Sequence, residues 1–163
     1  MKIFSFYLSF ALISIIFISC QLPTGPAGKD GVSDKQIRFD FDFNGGGYLL
    51  PHRSIDDTIE HCQIIRFNIA NYVGVDSVIF VACISCYDST KYFAASIINL
   101  TDNVEIQNSV LKTNSYNPIV LSSTNLFHSF PKKEIDLVVR ISKKDTSDFD
   151  GLIEKAYLFL YRK

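Results

Sequence analysis

The chain has no tryptophan and a single methionine, and it lacks an excess of charge of either sign: 16 Lys and Arg stand against 17 Asp and Glu, a formal net charge of -1. Proteins that bind nucleic acid draw affinity from clustered cations, and no basic block is present, so nucleic acid is not an expected partner. Equally missing are the short patterns that accompany catalysis. There is no nucleophile elbow, no Gly-rich phosphate loop opening a helix, and no carboxylate pair whose surroundings could be argued to split their pKa values. The reading is therefore of a protein that is not an enzyme. Nor does any apolar run reach the length of about 20 residues that a membrane-spanning helix needs.

What is present begins with a leader. One cation, Lys2, precedes an almost unbroken apolar run from Ile3 to Ile18, which ends in the small residue Ser19 and then Cys20. This is the layout of a secretory signal peptide, and the expected leader is residues 1–19. An uncleaved signal anchor is the alternative. Phe17-Ile18-Ser19-Cys20 resembles the lipobox of bacterial lipoproteins, in which a thiol is diacylated before cleavage. The resemblance implies that Cys20 becomes the lipid-bearing N-terminus, carrying palmitate-type chains. Each buried methylene adds about 0.8 kcal/mol to membrane affinity, so two or three chains hold firmly. By the same resemblance, Gln21 carries no inner-membrane retention signal of the Asp type, which implies an outer-membrane location.

Residues 20–34 read as a tether. Gly25, Gly28 and Gly31 recur at every third position among Pro26, Ala27, Lys29 and Asp30, and this stretch resembles the collagen-like Gly-X-Y spacers of bacterial surface lipoproteins. A triple helix gains stability over many triplets, so so short a run is read as an extended spacer that lifts a domain off the bilayer.

Residues 35–163 are expected to form one all-β domain. In Gln36 to Phe43, Ile37, Phe39, Phe41 and Phe43 alternate with Arg38, Asp40 and Asp42, the mark of a half-buried antiparallel strand. Glu134 to Ile141 repeats the pattern with Ile135, Leu137, Val139 and Ile141 inward. Asp76–Cys86 and Tyr92–Leu100 read as central strands, and Gln63–Ile69 and Val104–Leu111 as two more. Ala156–Tyr161 is apolar at nearly every position, which suits a strand covered on both faces. Turn residues at Val73-Gly74, Asp88-Ser89, Asp102-Asn103, Asn117-Pro118, Pro131-Lys132 and Asp150-Gly151 separate these runs, as expected of an antiparallel β-sandwich of jelly-roll type, with a small β-barrel as the alternative. Ser54, followed three residues later by Asp57, predicts a short helix or helical turn over Ser54–His61.

Candidate chemistry is sparse. If that segment were helical, Asp57 and His61 would share one face, with His52, Asp56 and Glu60 nearby, a spacing that can hold a cation. The alternative is a solvated acidic turn. Asp145, Asp148 and Asp150, followed by Gly151, resemble the middle of a calcium loop, but an EF-hand would open at Thr146 and close at Tyr157, neither of which is acidic. No cofactor is expected; calcium at a loop rim is the alternative to a plain Asp-Gly turn. With Cys20 taken by lipid, Cys62, Cys83 and Cys86 remain. Residues three apart in a strand point to opposite faces, so the CxxC formed by Cys83 and Cys86 cannot bridge, and buried unpaired thiols are expected, with a Cys62 disulfide to one of the others as the alternative.

Aromatic residues are plentiful, with 14 Phe and 8 Tyr. Tyr48, Tyr72, Tyr87, Tyr92 and Tyr116 fall near expected loops, where rings can meet a sugar or simply pack at strand ends. The functional expectation is a membrane-anchored binding module that captures a glycan or an envelope protein. The alternative is a structural lipoprotein that packs into a homo-oligomer and binds no free ligand.

Overall fold

The computed structural model describes residues 35–43, 46–50, 56–143 and 151–163. The leader, Cys20, the tether, Asn44, Gly45, His52, Ser54, Asp145, Asp148 and Asp150 lie outside the described residues.

Ten strands are formed: β1 (Gln36–Phe41), β2 (Tyr48–Leu50), β3 (Asp56–Phe67), β4 (Val75–Cys86), β5 (Phe93–Asn99), β6 (Val104–Glu105), β7 (Leu111–Thr113), β8 (Ile119–Ser122), β9 (Ile135–Lys143) and β10 (Gly151–Arg162). They build two sheets in which every pairing is antiparallel. One runs β1-β10-β4-β8, with β2 also on β10; the other runs β3-β9-β5-β6, with β7 also on β5.

β1 pairs with residues 156–161 of β10, and β2 continues along the same side of β10 at residues 151–153, so the two are one strand with an interruption. β6 and β7 stand in the same relation along β5. With each pair counted once, the chain order across the sheets is first-eighth-third-sixth and second-seventh-fourth-fifth. That is the jelly-roll order, and the sheets face each other as a sandwich rather than closing into a barrel.

The alternation read from the sequence places the core. Phe41, Ile135, Leu137, Val139 and Ile141 are buried between the sheets, and Ile37, Phe39 and Phe43 pack against them. β4 contributes Val78, Phe80, Ala82, Ile84 and Cys86, which alternate with the less buried Ile79, Val81 and Cys83. At one end Phe67, Phe39, Tyr72 and Phe130 form a ring cluster, with Phe67 stacked on Tyr72 at 5.7 Å.

Several expectations are corrected. No helix starts at Asp56. Asp56 to His61 are the first half of β3, in register with β9 from Asp56 opposite Ser142 to Thr58 opposite Arg140. The hydrogen bonds of a long neighbouring strand outweigh a weak local capping signal. β3 then departs from strict alternation, with register shifts between Thr58 and Gln63 and between Ile64 and Phe67. At the second, Arg66 takes a left-handed φ of 55° while its N–H donates to the Asp136 carboxylate at 2.8 Å. The strand expected over Gln63–Ile69 is the second half of β3, ending at Phe67, and the first register shift parts it from the half that was read as helical.

The single strand expected over Val104–Leu111 is two short ones. Asn108, at φ 65°, turns the chain between them, and the Ser109 hydroxyl accepts the Ile97 N–H at 3.0 Å. A side chain thereby completes the ladder where the backbone leaves it. The short strands Tyr48–Leu50 and Ile119–Ser122 were not anticipated. Gly151, read as a turn residue, opens β10 instead.

Candidate functional site

The candidate site is built on β10. Its inward side chains are Ile153, Ala156, Leu158 and Leu160, all buried. A register shift against β4 between Ile153 and Lys155 adds one residue to β10 at that point, and neither Glu154 nor Lys155 is buried. Tyr157, Phe159 and Tyr161 follow on the outward face. This corrects the expectation of a strand covered on both sides: Tyr157 and Phe159 are half-buried and Tyr161 is 37% exposed.

The three rings form a stripe. Tyr157 and Phe159 lie with centroids 5.8 Å apart and planes at 43°, and Phe159 and Tyr161 at 6.3 Å and 31°. The Arg38 guanidinium sits 5.2 Å from the Tyr157 ring centre, a cation–π contact, and pairs with Asp40 at 3.2 Å. Register fixes the flanks. On β4, Val81, Ile79 and Ser77 stand opposite Tyr157, Phe159 and Tyr161, and on β1 Asp40, Arg38 and Gln36 do the same. Directly paired residues share a face, so these side chains border the stripe. β8 extends the surface with Ser122 beside Val81 and with Val120, which is 68% exposed, beside Cys83.

At one end the stripe runs into a groove of about 580 Å³, formed where β1 leaves β10 and lined by Asp40–Phe43, Gly46, Gly47, Leu152 and Glu154–Tyr157. Gly47 lets the chain pass close to β10, since a Cβ there would stand 2.7 Å from the Ile153 carbonyl oxygen. The groove carries the carboxylates of Asp40, Asp42 and Glu154 and the ammonium of Lys155. Carboxylates accept hydrogen bonds and an ammonium donates them, so a polyhydroxylated ligand would find both partners beside an aromatic surface.

The free thiols divide between the core and this face. Cys62 and Cys86 are buried, and Cys83 is half-exposed on the outer face with its thiol donating to Glu154 at 3.4 Å. Full burial of all three was expected, and Cys83 departs from it because its neighbours on β10 and β8, Lys155 and Val120, are themselves exposed. Burial pushes the Cys62 thiol up to about 11, and its S–H donates to the Asp42 carbonyl at 2.7 Å. Burial also raises Cys86 and, with the Glu154 hydrogen bond, Cys83. Because the folded state holds the Cys62 proton more tightly than the unfolded chain, that contribution to stability is complete below pH 9.0 and lost as pH rises toward 11. Iodoacetamide at pH 8 should label Cys83 first, and Cys62 and Cys86 only on unfolding, as followed by peptide mass spectrometry. Labelling of Cys62 at the Cys83 rate would contradict this arrangement.

The residues singled out from the sequence are scattered. Asp56, Asp57, Glu60 and His61 lie along β3 rather than on a helical face, so the spacing argument for a cation no longer applies. Among the described residues no three His, Cys, Asp or Glu side chains gather as a metal group. Asp57 accepts a hydrogen bond from the Tyr48 hydroxyl, which raises the Tyr48 pKa, and the His61 ring lies 6.0 Å from that of Tyr48. Tyr72 is packed in the ring cluster. Tyr87 and Tyr116 lie 5.6 Å apart at the opposite end of the sandwich, where Lys112 sits 5.1 Å over the Tyr92 ring. Tyr48 opens β2, which pairs with the Gly151 end of β10.

Tyr157, Phe159 and Tyr161 were missed as a site, although an aromatic ring at every second residue was visible in the sequence. Among the described residues no helix is long and apolar enough to cross a membrane.

No family model and no curated protein matches this chain. Among solved structures it is similar to a xylan-binding module, CBM15, with 10% identity over 78% of this chain and 99% of that one, at a TM-score of 0.49. It is also similar to the CBM36-1 domain of a multidomain xylanase from the hindgut metagenome of Trinervitermes trinervoides, with 6% identity over 76% and 95% of the two chains and a TM-score of 0.46. A third is the C-terminal family 22 carbohydrate binding module of Clostridium thermocellum Xyn10B, with 10% identity over 81% and 89% and a TM-score of 0.38.

Proposed function

We propose that this domain is a glycan-binding module, displayed at the cell envelope on a lipid carried by Cys20. The observation that supports it is the stripe of Tyr157, Phe159 and Tyr161 on an open sheet face, running into a groove of carboxylates and one ammonium. Aromatic faces are electron-rich, and the C–H-bearing faces of sugar rings complement them, while sugar hydroxyls pair with the polar groups alongside. Neither half of that chemistry needs a catalytic group. A lipid anchor on Cys20 would confine the domain to a surface, which helps capture of a polymer more than turnover of a diffusing metabolite.

The test is a binding screen on the full-length chain, purified in detergent, against soluble polysaccharides and envelope proteins. Tyr157→Ala and Phe159→Ala should each weaken glycan binding roughly tenfold, equivalent to about 1.4 kcal/mol. Tyr116→Ala, on a residue 65% exposed in the turn before β8 and not among those lining the stripe or the groove, should leave it unchanged. Val120, Val81 and Ile79 beside the stripe support a second reading, in which the same face meets a second copy. Absence of any glycan ligand, with a dimer that Phe159→Ala dissociates, would decide for it.

The anchor has its own test. Cys20→Ser should move the chain out of the membrane fraction, because retention depends on acylation of that thiol. Recovery of the variant in membranes at unchanged size would favour an uncleaved leader.

A further inference from the structure

We infer that the aromatic face takes single, twisted, uncharged polysaccharide strands, and rejects both the flat surface of a crystalline polysaccharide and strands of acidic sugars. This rests on the glycan reading above and sharpens it.

The first observation is the attitude of the rings. Consecutive planes are turned by 43° and then 31°, so no single plane lies flush on all three. A flat polysaccharide surface could stack on one ring and would meet the others at an angle. Strand twist favours such a tilt. A strand carries a right-handed twist, so side chains at successive same-face positions rotate about its axis, and three of them on one strand sweep through an arc. The rings are also held: Tyr157 lies between the Arg38 guanidinium and Phe159, and Phe159 between the two tyrosines. Turning one ring to make a flat platform would give up those contacts. A lone polysaccharide strand can rotate about its glycosidic bonds and present successive sugar faces along the same arc.

The second observation is what borders the rings. Gln36, Arg38 and Asp40 stand on one side and Ser77 on the other, with Ser122 one strand further out. A lone strand offers hydroxyls along both edges to such groups. A chain packed in a crystal has its edges tied to its neighbours.

The third is charge. Three carboxylates at the groove, those of Asp40, Asp42 and Glu154, stand against the Lys155 ammonium and the Arg38 guanidinium that pairs with Asp40, so negative charge is in excess by one. A uronic acid entering it would meet like charge in a partly enclosed space, where repulsion is stronger than in open water. A neutral sugar would not.

The experiment compares the physical forms of one chemistry, using the full-length chain in detergent. The probes are crystalline cellulose and chitin powders, soluble hydroxyethylcellulose and chito-oligosaccharides of matching backbone, soluble xylan and mannan, and polygalacturonate. Expected is retention by at least one soluble neutral glycan, weakened about tenfold by Phe159→Ala and by Tyr161→Ala, with no depletion onto either powder. Tyr161 is the more exposed ring and has only Phe159 as an aromatic neighbour, so its variant disturbs packing less than Phe159→Ala does. Depletion onto a powder that matches its soluble counterpart, and is lost in Phe159→Ala, would overturn the single-strand inference and leave the glycan reading intact. Tighter retention by polygalacturonate than by every neutral glycan would overturn the charge selection. No retention by any probe would overturn this inference and the glycan reading together.

Discussion

Gly151→Ala should destabilise the domain by about 2–3 kcal/mol, an unusually large cost for adding one methyl group. Gly151 opens β10 where it pairs with Leu50 of β2 on one side and Cys86 of β4 on the other. The Phe93 ring, from the opposite sheet, lies directly over it. A Cβ at position 151 would stand 2.0 Å from the nearest ring carbon and 2.4 Å from the next. Neither partner can give way cheaply: Gly151 is held by two ladders, and Phe93 is completely buried in β5. The missing side chain thus lets the two sheets approach at this end. The loss should appear as a lower midpoint in urea with an unchanged slope. In Phe93→Leu the smaller side chain makes room, so adding Gly151→Ala there should cost much less than it does in the native background. An unchanged midpoint for Gly151→Ala alone would show that the ring does not rest on this backbone.

Phe80→Ala should cost about 3–5 kcal/mol, the usual range for emptying a large buried aromatic site. Phe80 is fully buried at the centre of β4, edge-on to Phe41 at 6.2 Å, and its N–H donates to the Ser123 hydroxyl at 2.9 Å. That ring bridges β4 to β1 across the intervening β10, so its loss loosens three strands at once. Val81→Ala, one residue along and on the opposite face, should cost less than about 1 kcal/mol, because Val81 is only half-buried beside Tyr157. The contrast tests register as well as packing. A one-residue slip of β4 would exchange the two environments and reverse the order of the two effects. Thermal unfolding of both variants side by side is sufficient to read it.

The framework was legible in the sequence wherever a strand is long, regular and covered on one face. β1 and β9 alternate cleanly, and Phe41, Leu137 and Ile141 lie where that alternation puts them. β4 and β5 stood out by their β-branched and aromatic content. Legibility fails where geometry is set by a neighbour rather than by local pattern. The second half of β3 was read as a strand, but its first half was obscured by the register shift before Gln63 and by an acidic start that imitates a helix cap. β2, with three residues, carries no period of its own and exists because β10 offers a partner. The candidate site shows the same limit. Tyr157, Phe159 and Tyr161 could be read as aromatic, but whether their face was covered depends on what packs against β10, which no local pattern reports. The search for binding residues turned to loop tyrosines, and two of the five, Tyr48 and Tyr72, proved to be occupied with packing and hydrogen bonding inside the sandwich.

The interruptions in the outer strands have a further consequence for copies of this protein held close together. A sheet edge exposes a row of unpaired N–H and C=O groups, and an uninterrupted edge is a template on which another chain can add a strand. Among the described residues β1 ends at Phe41 and β2 begins at Tyr48, β6 and β7 are parted by residues 106–110, β8 is four residues long, and β3 carries two register shifts. Each lateral border is therefore broken, short or kinked. Neighbouring copies find no straight ladder to extend, so the same irregularities that made these strands hard to recognise disfavour edge-to-edge pairing.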